Sequence, residues 1–452
     1  MVALNPQAGQ LNRIIKNGNP AVFDLLSQKG QSIYFPKEGI LAQSAEAKGT
    51  KYNATIGIAL DEDKTPTRLP SIAGKIKLPP QDVFPYAPSF GKMELRENWL
   101  ANIKRKNPDL KTVTSLPIVT SALTHALSII GYLFVNPEDK IILADKFWGN
   151  YRLIFEYGFE AVLDTYNTFA GNSFDLSAFE KKMESSGRTS RTIPSHIGIG
   201  TGINDSKDEK IILLFNFPNN PAGYTPTVKE AKQIVTIINK SAAEGKKILV
   251  ILDDAYFGLV YKSGIITQSL FPFLSDLHKN VLAVKLDAVT KEEYAWGLRI
   301  GFITYGSKDL DKEAYQALEA KTAGAVRGSI SNASHLSQSL ILTGMSSSSY
   351  RKEKQQNYLM LKKRFQMVEK VLKEKKYQDY FSPLPFNSGY FMCLELKKGL
   401  DGEKVRQTLI KKYDTGVIAI KNLLRIAFSS VPTKDIPQLF ENIYNACREN
   451  SV

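Results

Sequence analysis

Lys291 stands just past VLAVKLD (281–287), a run of β-branched and apolar residues. A lysine so placed can lose its charge to burial and attack a carbonyl as a neutral amine. A second run, ILVILDD (248–254), ends in Asp253 and Asp254, with Tyr256 close behind. An acid at the end of a buried strand is costly to desolvate unless it faces a cation or a protonated heterocycle. A third run, IILLFN (211–216), leads into Phe217-Pro218-Asn219-Asn220-Pro221, whose prolines hold Asn220 out of helical conformation with its amide able to donate. Arg299 opens a fourth, RIGFITYG (299–306), and offers the planar fork that suits a phosphate. Taken singly, each has a plainer reading: a turn at Asn220, a helix cap at Asp253 or Asp254, a solvated lysine at 291. Taken together, they supply an imine-forming amine, an acid for a pyridinium nitrogen, two donors for a phenolate and a guanidinium for a phosphate.

That set of groups is what pyridoxal 5'-phosphate requires of a protein. The elements that must position it alternate between short apolar strands and amphipathic helices, the pattern of an α/β sheet covered on both faces. The four runs above and KIILAD (140–145) are its expected strands, and continuous apolar runs suit a mostly parallel sheet buried on both sides. In such sheets the ligand crevice lies outside the carboxyl ends of the strands, where three of these residues fall. LSIIGYLFV (127–135) reads as a buried helix. Tyr358, Leu361, Phe365, Val368 and Leu372 recur at helical spacing and predict one long amphipathic helix after a short SSSS loop at 346–349. GYFMCLEL (389–396) and LLRIAFS (423–429) then predict a smaller α/β unit. The expected division is an N-terminal extension and part of the small domain over 1–75, a large cofactor-binding domain over 76–340, and a small C-terminal domain over 341–452.

Over most of its length the chain resembles the class I/II, fold-type I, pyridoxal-phosphate-dependent aminotransferases, most of all their aspartate aminotransferase branch. NFPNNPAG (216–223), DDAY (253–256) and TKEEYAWGLRIGF (290–302) resemble three of the family's motifs. NATIGIALDEDKTPTRLPS (53–71) resembles its N-terminal segment, which implies that Gly57 lies close to substrate. WGNY (148–151) implies that Trp148 stacks on the cofactor ring, and LLRIAFS that Arg425 binds the substrate α-carboxylate. VTSALTHAL (119–127) resembles the start of the phosphate-binding helix, so the backbone of Ser121, Ala122 and Leu123 is expected to hold phosphate. YAPSFGKMELR (86–96) and RGSISN (327–332) imply a homodimer with shared sites. In it Tyr86 reaches the neighbouring subunit's cofactor phosphate, and Arg327 reads a substrate side-chain carboxylate there. The chain departs from the pattern at Ala288, where a phosphate-binding hydroxyl is usual, and at Ser121, where glycine is common. Tyr151 stands where the branch often has a histidine behind the ring-binding acid, and the paired prolines after the side-chain arginine are missing.

The resemblance implies transfer of an amino group between an L-amino acid and a 2-oxo acid, glutamate and 2-oxoglutarate with aspartate or an aromatic amino acid. Lys291 would hold the cofactor as an imine and then serve as the base that moves the α-proton. Asp253 would keep the ring nitrogen protonated, while Tyr256 and Asn220 donate to the ring oxygen. Two half-reactions then give ping-pong kinetics. The same residues would serve a β-elimination or decarboxylation, which dependence on an oxo acid distinguishes. A regulator carrying an aminotransferase-like sensor would need a helix-turn-helix domain before residue 53, where the chain ahead of the resemblance is short for one.

Composition fits this reading. The 452 residues carry 59 Lys+Arg against 45 Asp+Glu, a formal charge of +14, and 43% are hydrophobic, as in an ordinary globular chain. The lysines fall in short clusters such as Lys104-Arg105-Lys106, with no basic stripe interleaved with aromatics, so no nucleic-acid partner is expected. No apolar run approaches the roughly eighteen residues of a membrane span. With only Cys393 and Cys447, the chain suits a reducing compartment, and a cytoplasmic location is expected. His125, His196, His278 and His335 show no metal spacing, and Trp99 and Trp296 read as core.

Overall fold

A computed structural model describes residues 4–18, 20–24, 26–34, 39–186 and 210–451; His196 lies outside them. Seven strands form the central sheet: β1 (Ile118–Thr120), β2 (Lys140–Ala144), β3 (Val162–Tyr166), β4 (Lys210–Asn216), β5 (Lys247–Asp253), β6 (Val281–Ala288) and β7 (Gly301–Gly306). Their spatial order is β1-β7-β6-β5-β4-β2-β3. The pairs from β6 to β3 are parallel, and β7 runs antiparallel to both β6 and β1. β4, β5 and β6 are apolar and buried almost throughout, as strands covered on both faces must be. The register sets Asn216 opposite Asp253, and Asp253 opposite Leu286.

β7 departs from the expected boundary, and its direction has a consequence. It begins at Gly301, and Arg299, at φ 53°, sits ahead of it in left-handed backbone. Because β7 is reversed, the residues preceding it lie at the edge where its parallel neighbours end. Gly301 accordingly pairs with both Ala288 and Thr120. On one face of the sheet Trp99 stacks on Phe302 with ring centroids 4.1 Å apart, as its core reading required. The expected buried helix is Ala122–Phe134.

The long helix spans Tyr350–Val371, starting two turns before the predicted periodicity because its first turns carry polar residues. It leads to a second, four-stranded antiparallel sheet: β8 (Phe381–Pro383), β9 (Phe391–Leu396), β10 (Ile418–Ile420) and β11 (Leu423–Ala427), in the order β8-β9-β11-β10. The early part of the chain joins this unit. Tyr52–Asn53 pairs in parallel with Thr415–Gly416, and the Ala427 N–H donates to the Ala54 carbonyl at 2.9 Å.

The segment after β4 is fastened to β9. The Phe217-Pro218 and Asn220-Pro221 peptide bonds are cis. The Gly223 carbonyl accepts from the backbone N–H of Asn387 and of Ser388, at 2.8 and 3.0 Å. Gly223 has φ +73°, and a Cβ there would stand 1.9 Å from the Phe391 carbonyl oxygen. A side chain at 223 therefore meets both left-handed strain and overlap with backbone. Gly223→Ala should destabilise the protein by about 2–5 kcal/mol, read as a lower urea midpoint at unchanged slope.

Candidate active site

A cavity of about 490 Å³ opens at the carboxyl edge of β4–β6. Its wall includes Gly57, Ala122, Leu123, Trp148, Asn220, Asp253, Tyr256, Lys291, Arg299 and Arg425, ten of the residues singled out in the sequence. Segments separated by more than 300 residues thus converge on one space.

Asp253 ends β5 and is 2% exposed. Burial pushes its carboxyl above the usual carboxylate range, and the Tyr151 hydroxyl and the Ala255 N–H draw it back by donating to its two oxygens at 2.5 and 3.1 Å. Tyr151 is fully buried, and burial, with Asp253 beside it, keeps its phenol protonated. Such a carboxylate is costly in a dry site unless a further proton donor or cation meets it. Asn216 braces this corner: its amide donates to the Asp253 carbonyl at 2.9 Å, and its own oxygen accepts from the Asn220 N–H at 2.8 Å.

Lys291 lies in a single turn, Val289–Glu292, immediately after β6. Burial lowers its amine to about 8; Asp253 opposes that shift and Arg299 adds to it. Its Nζ is 5.0 Å from the centre of the Tyr256 ring. Burial raises the Tyr256 phenol well above its ordinary range, so that it serves as a donor.

Arg425, on β11, is 3% exposed. One of its terminal nitrogens donates to the Thr55 carbonyl at 3.0 Å and the other to Asn220 Oδ1 at 3.4 Å, while its guanidinium lies 4.5 Å from the centre of the Phe391 ring. Its Nε has no partner among the described residues. A buried guanidinium with an unused donor on the cavity wall is suited to a carboxylate.

The opposite end offers groups suited to an anion. Ser121 precedes the helix Ala122–Phe134 without capping it, which leaves first-turn N–H groups free, and Leu123 and Thr124 line the cavity beside Arg299. Gly301 makes this possible, since a Cβ there would stand 2.6 Å from the Ala122 carbonyl carbon.

The structure revises several expectations. The residue whose backbone favours glycine is Ala122, at φ 64°, and not Ser121, at φ −79°. Ser121 is outside the cavity wall, and its N–H donates to His125 Nδ1 at 3.1 Å, while His125 Nε2 meets Ser329 at 2.9 Å. Ala288 is buried at the end of β6, and Thr290 lines the cavity two residues on. Tyr86 is 90% exposed and Arg327 is exposed on the helix Lys312–Ile330; neither lines this chain's cavity. Sequence reasoning missed Thr124, Asn150, Asn216 and Thr290, although all four stand inside the matching motifs or directly beside them. It also missed Ile40 and Ser44, for which no motif gives a signal. Among the described residues no group of three or more His, Cys, Asp or Glu could hold a metal, and no helix is long and apolar enough to cross a membrane.

A mostly parallel α/β sheet, a smaller sheet joined by the early chain, and a crevice with a half-buried lysine and a buried acid at the strand ends define the fold-type I class. The chain belongs to the aminotransferase class I and II family, whose model matches residues 53–443. It is 23% identical over 232 residues to an aspartate aminotransferase of Sulfurisphaera tokodaii, a stretch covering 51% of this chain and 49% of that one. The chain thus spans about half the length of this curated relative in the match. Solved structures share the fold. An aminotransferase of Anaerococcus prevotii superposes with a TM-score of 0.78 at 22% identity, covering 93% of this chain and 98% of that one. The cytoplasmic aspartate aminotransferase of Saccharomyces cerevisiae gives 0.73 at 17%, covering 95% and 100%. The kynurenine aminotransferase of Pyrococcus horikoshii, solved with PMP, gives 0.75 at 16%, covering 95% and 98%.

The amine at 291 titrates well below an ordinary lysine. Its neutral, imine-forming fraction should therefore rise through pH 8, where surface lysines are still charged. Brief exposure of cofactor-free protein to pyridoxal, followed by borohydride reduction and peptide mass spectrometry, should label the Lys291 peptide with a midpoint near pH 8. A midpoint matching that of exposed lysines would contradict the burial argument.

Proposed function

We propose that this chain catalyses transfer of an amino group between an L-amino acid and a 2-oxo acid, with pyridoxal 5'-phosphate as cofactor and glutamate/2-oxoglutarate as one substrate pair. The observation that carries this reading is the meeting, in one cavity, of a lysine amine lowered to about 8 with a buried carboxylate and an arginine whose Nε is unpaired.

When bound, the cofactor supplies an electron-accepting ring for the pair left at the substrate α-carbon. Asp253 is suited to hold a proton on the ring nitrogen, and the Tyr151 hydroxyl favours the ionised form of that carboxyl and orients it. Tyr256 and Asn220 donate toward the ring oxygen, and Trp148 covers the ring face. The N–H groups of Ala122, Leu123 and Thr124, with Arg299, hold the phosphate, and the hydroxyls of Thr124 and Thr290 stand in for the one missing at Ala288. Arg425 clamps the substrate carboxylate and so aims the α-C–H bond toward Lys291, an orientation that disfavours loss of the carboxylate. Lys291 Nζ would be the base that takes the α-proton and holds it for return within the same site. One half-reaction releases an oxo acid and the next consumes one, giving ping-pong kinetics.

The exposed Tyr86 supports a homodimer in which this phenol completes the neighbouring phosphate site. Arg327, exposed on its helix, is the candidate reader of a side-chain carboxylate in the partner's cavity. This chain's own wall adds Ile40, Ile56 and Phe391, the last beside Arg425, which favours a neutral or aromatic side chain for the second amino acid. We assign residues 1–75 to an N-terminal extension and part of the small domain, 76–340 to the large cofactor-binding domain and 341–452 to the small C-terminal domain. The two free, buried cysteines support a reducing, cytoplasmic setting.

Protein loaded with pyridoxal phosphate should lose its yellow absorbance on addition of L-glutamate and regain it with 2-oxoglutarate, and Lys291→Ala should abolish the change. Ammonia or carbon dioxide released without any oxo-acid requirement would replace this reading with a lyase or a decarboxylase. Arg327→Ala should lower kcat/KM for aspartate and glutamate by about 10²-fold or more, the scale of a lost charged contact, and leave aromatic substrates within about threefold. Equal loss for both classes would remove Arg327 from the side-chain site.

A further inference from the structure

A second cavity, of about 480 Å³, opens beside the Lys291 segment and shares no lining residue with the first. Its base is a buried ion cluster. Glu292 pairs with Lys106, and Lys354 lies 3.5 Å from Glu292 and 2.7 Å from Glu293, so two acids offset two lysines. Arg105 and Arg351 also line the cavity, both exposed, and neither has an ion-pair partner among the described residues. The only side-chain hydrogen bond of Arg105 here goes to the neutral Asn102 amide oxygen, at 2.7 Å. Lys285 with Asp254 and Asp287, packed behind Phe257, adds one cation and two acids, so five cations stand against four acids and the surplus is one positive charge, with the two guanidinium groups the ones left unpaired among the described residues.

The walls are aromatic. Phe257, Tyr294, Tyr350 and Tyr358 all line the cavity. The Tyr358 hydroxyl is fixed to the Val260 carbonyl at 2.7 Å, and Lys354 lies 5.3 Å from the centre of the Tyr350 ring. Flat apolar surface beside uncompensated guanidinium groups recognises a ring that carries an anionic group. Lysines merely solvated on a helix face would offer neither the walls nor the enclosure.

We infer that this cavity is a second binding site, distinct from the crevice, for a small anion bearing a planar ring: an aryl carboxylate or an aryl phosphate. Its anionic group meets Arg105 and Arg351, and its ring packs among Phe257, Tyr350 and Tyr358. Nothing in this assignment depends on the chemistry proposed for the crevice.

Calorimetric titration of the full chain, saturated with pyridoxal phosphate, against benzoate and phenyl phosphate tests it. At least one of the two should bind saturably with one event per chain, and the one that binds tells carboxylate from phosphate. The double variant Arg105→Ala/Arg351→Ala, which changes exposed residues only, should bind at least tenfold more weakly at an unchanged Tm. Arg425→Leu and Arg299→Leu, which alter the crevice, should bind within twofold of the parent. Absence of saturable binding by either probe overturns the site. Binding lost in the crevice variants, or retained in the double variant, assigns the event to the crevice and overturns it equally. Inorganic phosphate binding as tightly as phenyl phosphate would overturn the role given to the rings.

Discussion

β7 runs against its parallel neighbours, and the concentration of charge at one edge of the sheet depends on that reversal. A parallel β7 would carry Arg299 to the far end of the sheet, a strand length from Lys291. Reversed, it brings the residues before Gly301 beside those after Ala288, so an arginine and a lysine share a space with the Asp253 carboxylate. Arg299 stays exposed to solvent and Lys291 is half-buried, while the charges packed behind them are met by counter-charges. Burial would discharge Lys285, but Asp254 and Asp287 flank it and hold it charged. Glu292 and Glu293, directly after Lys291, are matched by Lys106 and Lys354. Lys106 and Lys291 both keep a burial penalty that outweighs their neighbours, but of the two it is Lys291 that lines the crevice, where a reactive amine is needed.

The strands and the central constellation were legible because both rest on local signals. Apolar runs of six or seven residues marked β4, β5 and β6 to within a residue, since a strand buried on both faces has no alternation to misread. Asn220, Asp253, Tyr256 and Lys291 stood at or just past the ends of those runs and Arg299 at the start of the next, and the topology gathers them. Backbone conformation was harder to read. The direction of β7 has no local signature, and neither does the choice of Ala122 for the left-handed position, which follows from how closely Gly301 lets the helix approach. The resemblance already set Tyr151 behind the ring-binding acid, and the fold adds that its hydroxyl donates directly to Asp253 across 102 residues of chain.

Ile40 and Ser44 were invisible for a related reason: they belong to a short helix, Ile40–Glu46, of unremarkable sequence. Contacts with the second sheet hold it over the cavity. Gln43 donates to the Ala419 carbonyl at 3.0 Å and accepts from the Ala419 N–H at 2.7 Å, and Glu46 pairs with Arg406 at 2.6 Å.

That arrangement separates two tasks within one crevice. The groups suited to bond-making sit on the central sheet and inside residues 53–443, where the family pattern lies, whereas this stretch of wall comes from ahead of them. A wall fastened by an amide pair to β10 and by Glu46 to the buried Arg406 of a neighbouring helix can be rebuilt, residue by residue, without disturbing the lysine, the acid or the arginine behind it. Selectivity on this scaffold can therefore drift while reactivity stands still, and two chains with matching motifs could part company over what they accept because of a helix seven residues long.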